Sequence, residues 1–162
     1  MSTLAFLSPT ACAPEVQLTS PLARVSSSAV TDVSSLGKLE VRGDVDALET
    51  TGDEYVLPLG PGRALLVTPG SAGGAQVRLT AAGFAVYDMT AALAAVEIEG
   101  EALLRRLTDL DPRRLPTVGS IARGTPALIE RRDGDRFRLF VAQELGHFVA
   151  EVIVDMAAGL GL

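Results

Sequence analysis

The Asp133-Gly134 pair narrows the possible folds more than any other feature of the chain. It separates "TPALIERR" (125–132) from "DRFRLFVA" (135–142), two runs rich in β-formers. Asp-Gly between such runs is the strongest short-range signal for a hairpin, because glycine adopts the positive φ that a tight turn needs. The next stretch changes period. Leu145, Phe148, Val149, Val152, Ile153 and Met156 recur at helical spacing, with Glu144, His147, Glu151 and Asp155 on the other face. A hairpin followed by an amphipathic helix predicts a helix lying on an antiparallel sheet.

Upstream segments extend that sheet. "GKLEVRG" (37–43) alternates Leu39 and Val41 with charged neighbours, the pattern of a half-buried strand. "EYVLPLG" and "RALLVTP" flank Gly60-Pro61-Gly62 as two strands around a turn, with Pro58 putting the first at an edge or a bulge. "GSAGGA" (70–75) reads as a flexible connection before a short helix through Ala75–Ala82. "GFAVYDMT" and "AALAAVEIEG" read as successive strands. "EALLRRLTDL" places Leu103, Leu104, Leu107 and Leu110 on one helical face, and Pro112 is expected to end that helix. "TVGSIARG" is a strand or an extended loop. The expected fold is α+β, a two-layer domain over residues 36–162, divisible into lobes at 36–83 and 84–162, after an irregular N-terminal arm over residues 1–35.

Apolar residues make up 48% of the 162 and charged ones 21%, enough for a packed core. Cys12 is the only cysteine, so no intrachain disulfide forms, and a reducing, cytoplasmic setting is expected. The opening "MSTLAFLSPTACAPE" has no base before its apolar run and Pro9 cuts that run short, so it is read as part of the arm rather than a leader. No stretch reaches the length of a membrane span. The net charge of −6 argues against general nucleic-acid binding.

Catalytic signals are few. His147, the one histidine, sits beside Glu144 and Glu151 on a polar helix face, which suits an exposed imidazole better than a triad. One His and one Cys cannot supply a usual zinc ligand set, so no metal is expected. The glycine-rich 70–75 segment matches neither dinucleotide nor P-loop spacing. No catalytic residue is assigned. The arginines are the remaining feature: residues 99–138 hold nine bases against seven acids, while the rest of the chain holds five against thirteen. Arg113, Arg114, Arg123, Arg131, Arg132, Arg136 and Arg138 therefore have two readings. They form either a solvated hairpin end with local acidic partners or a docking face for an acidic partner. An anion pocket is the third choice.

Several segments, in order, resemble a known family. "LPLGPGRALLVTPG" (57–70), "AVYDMT" (85–90), "VEIEGEALLRRLTDLDPRRLPTVGSIARG" (96–124) and "RRDGDRFRLFVAQELGHFVAEVIVDMAAGLG" (131–161) resemble the gamma subunit of bacterial heterotetrameric sarcosine oxidase. "SPLARV" (20–25) and "LGKLEVRGD" (36–44) are similar to its N-terminal pieces. That family is related to the glycine-cleavage T-protein, an aminomethyltransferase, and to the YgfZ-like folate-binding proteins. The resemblance implies a ferredoxin-like arrangement akin to the N-terminal part of the T-protein fold. It implies alpha, beta and delta subunits as partners, in a complex that demethylates sarcosine oxidatively and passes the one-carbon unit to tetrahydrofolate. FAD, FMN, NAD and tetrahydrofolate would belong to that complex and none to this chain alone. An isolated chain is compatible with self-association. The alternative is a stand-alone folate- or aminomethyl-binding protein, and Asp88, at the Asp-x-Ser/Thr strand end, is the weak candidate for a cofactor contact.

Overall fold

A computed structural model describes residues 19–122 and 124–162. Cys12, Arg123 and the first half of the arm lie outside the described residues. Among the described residues nine strands form two antiparallel sheets. The five-stranded sheet has the order β1-β6-β9-β8-β7, and the four-stranded sheet has the order β3-β4-β2-β5. The first comprises β1 (Thr31–Asp32), β6 (Leu93–Glu99), β7 (Thr117–Ile121), β8 (Thr125–Arg131) and β9 (Arg136–Ala142). The second comprises β2 (Gly37–Arg42), β3 (Tyr55–Gly60), β4 (Arg63–Thr68) and β5 (Ala85–Asp88). Helices α1 (Gly73–Ala81), α2 (Glu101–Leu107) and α3 (Gly146–Ala158) complete the fold.

The α+β class holds, but the two-layer expectation does not. Side chains alternate along each strand, and both alternating sets are buried. On the five-stranded sheet, Val96, Ile129 and Leu139 pack with Val149 and Ile153 of α3 and Leu103 and Leu104 of α2. Ala95, Leu128 and Phe140, one residue out of phase, pack against Leu57, Leu65 and Val67 of the other sheet. Leu39, Val41 and Leu66 turn the opposite way, onto Ala75 and Leu79 of α1. The layers therefore run helix, sheet, sheet, helix. Burial of each large aliphatic side chain stabilises by about 1.5–3 kcal/mol, so each sheet gains from both faces.

Local signals account for most elements. β8 and β9 pair around the Asp133-Gly134 turn, where Gly134 takes φ 66°. β3 lies at a sheet edge, and its register with β4 shifts between Pro58 and Gly60. The helix expected from Ala75 begins at Gly73, inside the segment read as a flexible connection. α2 ends at Leu107, short of Pro112, which instead opens a 3-10 turn capped by the Asp111 carboxylate. Within the arm, Leu22 is buried against the α2–α3 core and β1 pairs with β6. β5 pairs with β2, so the four-stranded sheet runs past residue 83. α3 sits close on β6 because Gly146 has no side chain. A Cβ there would stand 2.8 Å from that of Ala94 and 2.9 Å from Pro21 Cγ.

Candidate docking surface

The arginines of the hairpin region are largely committed to carboxylates of this same chain. Arg131 reaches Glu101 at 2.7 Å, and Arg105 reaches the same carboxylate at 2.7 Å. Hydrogen bonds from Arg105 and then Arg131 hold that carboxyl below its ordinary range. Arg113 meets Asp111 at 3.1 Å and Arg136 meets Asp133 at 3.7 Å, both at the exposed surface, where such pairs contribute little. Arg114 is exposed, with no carboxylate in bridging distance among the described residues.

Arg132 and Arg138 turn inward. Arg138 is buried between the sheets, where its Nε donates to Glu97 Oε1 at 3.0 Å and its guanidinium lies 3.3 Å from Glu130. Tyr55, across on the four-stranded sheet, donates its phenolic O–H to Glu130 Oε1 at 2.7 Å and also bonds Arg138. Arg132 lies over the Tyr55 ring at 4.7 Å from its centroid and reaches Glu130 at 3.5 Å. Burial pushes the Glu130 carboxyl up despite the arginines beside it. Burial and the adjoining carboxylate push the Tyr55 phenol up as well. This is a structural clamp joining the two sheets.

Further along the same interface the packing opens into a groove of about 370 Å³. Leu59 and Leu65 line it from one sheet, and Leu93, Val118, Leu128 and Phe140 from the other. Glu40 is the single charged residue in its wall. Two arginines converge on that carboxylate: Arg42 Nε at 2.6 Å, and Arg63 through Nε at 3.0 Å and a terminal nitrogen at 2.9 Å, all to Oε1. Burial would raise the Glu40 carboxyl, but these bonds hold it below its ordinary range. Arg42 also lies over the Tyr87 ring, 4.8 Å from its centroid. The side chains of Arg42 and Arg63 are 48% and 51% exposed, Tyr87 is 48% exposed and Val118 is 50% exposed. An apolar slot whose one wall carboxylate carries two half-exposed arginines, one of them stacked on a tyrosine, has the composition of a protein-binding hot spot.

Asp88 ends β5 at the surface, and its Oδ1 accepts the Thr90 N–H at 2.8 Å, closing the turn into β6. His147 is 45% exposed and lies 3.3 Å from Glu151. Among the described residues no group of His, Cys, Asp and Glu could hold a metal ion, and no helix is long and apolar enough to cross a membrane.

A chain of the heterotetrameric sarcosine oxidase from Corynebacterium sp. U-96, in complex with pyrrole 2-carboxylate, matches at a TM-score of 0.71. The match covers 89% of this chain and 96% of that chain, at 19% identity. The two chains share one fold. No family model matches the sequence, and no curated protein sequence matches it.

The chain from the sarcosine oxidase thus matches nearly the whole of this one, as the order of the resembling segments implies. The sequence reading did not single out Arg42, Arg63, Tyr87 or Glu40. They come together through the β2–β4 and β2–β5 registers, which set Arg42 opposite Arg63 and Glu40 opposite Tyr87. The available signal was the alternation of Lys38, Glu40 and Arg42 along β2, a charged face that the two-layer expectation left to solvent.

Proposed function

We propose that this chain is a non-catalytic, gamma-type subunit of a sarcosine oxidase-like complex. The observation that carries the reading is its likeness, over nearly its whole length, to a chain of a heterotetrameric sarcosine oxidase. The whole complex would demethylate sarcosine oxidatively to glycine and pass the one-carbon unit to tetrahydrofolate. Alpha, beta and delta subunits would be its partners, and FAD, FMN, NAD and tetrahydrofolate would be held by the assembly. The reading also makes the fold a relative of the N-terminal part of the aminomethyltransferase, and its place the cytoplasm. The site supports it in chemical terms: an apolar groove with an arginine rim suits contact with another chain, and the lone histidine stands at the surface beside Glu151. Asp88, the candidate for a folate contact, is engaged in its own turn.

Isothermal titration of the purified chain with tetrahydrofolate, together with an assay of sarcosine consumption, separates this reading from a stand-alone folate-binding protein. The subunit reading predicts neither heat of binding nor turnover. Micromolar folate binding by the isolated chain would establish the rival.

A further inference from the structure

We infer that the groove between the two sheets receives an extended apolar segment of a partner polypeptide, flanked by an acidic residue that seats on Arg42 and Arg63. The inference rests on the subunit reading for the source of the partner and on the groove's own chemistry for the partner's character. The wall of the groove is apolar apart from Glu40, so it rewards aliphatic side chains and penalises unpaired polar ones. Val118 holds one side of this slot on β7, an edge strand, and Leu59 holds the other on β3, also an edge strand. A chain entering there meets side chains from both sheets at once.

The charge on the rim sets the sign of the flank. Two guanidinium groups share the single Glu40 carboxylate, and both bond to its Oε1. Among the described residues no other carboxylate bridges either arginine, so one positive charge is left over at half-exposed side chains. Each guanidinium keeps N–H donors directed away from Glu40, and a carboxylate is the group that satisfies them in a charge-assisted, planar fashion. Tyr87, stacked with Arg42, adds a rigid aromatic face to the rim. None of the bridged hairpin-region arginines bonds a residue of the groove wall, whereas Arg42 and Arg63 both bond Glu40.

Two labelled peptides of sequence DLVLVD and KLVLVK, titrated against the purified full chain by fluorescence anisotropy, test this directly. The acidic peptide is expected to bind at least about tenfold tighter than the basic one. Arg63→Glu should reverse that preference, and Val118→Asp should weaken both peptides by about tenfold. Both substitutions fall at half-exposed positions, and circular dichroism checks that the fold survives. Equal binding of the two peptides, or no binding of either at millimolar concentration, overturns the inference. So does a concentration-dependent dimer that Val118→Asp dissociates, since the groove would then serve a second copy of this chain. Discrimination between the peptides in a protein that has no partner chains in its host leaves the groove assignment standing and removes the subunit reading. Partner chains without discrimination do the reverse.

Discussion

Lys38 is the only lysine in the sequence, and it is fully buried between the sheets. Its Nζ donates to the carbonyls of Ser34 at 2.7 Å and Leu36 at 2.8 Å. Burial lowers its pKa to about 8, against the opposing pull of Asp32 and Asp88. The sign of the linkage follows. Between about pH 8 and the ordinary lysine value the unfolded chain holds a proton that the folded chain has released, so stability rises with pH across that window. Above about pH 10 the Tyr55 phenol acts oppositely, because it ionises in the unfolded chain before the folded one. Urea melts at pH 8 and pH 9.5 should show a gain of about 2 kcal/mol that Lys38→Met abolishes. An unchanged gain in the variant would place the titrating group elsewhere. The sequence allowed Lys38 to be placed on a strand, and it alternates there with Leu39 and Val41. Its burial was not legible, because alternation states which residues share a face and not what covers that face.

At the scale of elements, the hairpin, α3 and the Gly60-Pro61-Gly62 turn were readable because each depends on neighbours in sequence. The sandwich was not, since it depends on two sheets meeting. A trace of it did exist. "ALLV" in β4 and "LFV" in β9 are continuous apolar runs, the mark of strands buried on both faces rather than half-buried ones. The Tyr55–Glu130–Arg138–Glu97 clamp was invisible for the same reason, since Tyr55 and Glu130 are 75 residues apart. Glu130→Ala leaves Arg138 paired with Glu97 but takes the acceptor from the Tyr55 hydroxyl and the carboxylate from Arg132, so it should lower stability by about 2–3 kcal/mol in chemical denaturation. A loss below about 1 kcal/mol would show that Glu97 alone suffices for Arg138, and that the clamp does not hold the sheets together.

The molecule as a whole divides its charge between internal and external use. The arginine-rich region looked from the sequence like either a solvated end or a docking face. Arg131, Arg113 and Arg136 have local carboxylates, Arg138 is consumed inside, and the cations left with spare charge beside an apolar groove are Arg42 and Arg63. Electrostatic lopsidedness in sequence reports how many arginines there are and not which carboxylates reach them in the fold. The central claim, that the chain acts as part of a larger assembly, is met most directly by the native mass of the protein purified untagged from its own host. The account predicts a species several times the 16.8 kDa of the chain, carrying bound flavin and larger polypeptides. A 16.8 kDa species, or a homo-oligomer of this chain alone, would contradict it.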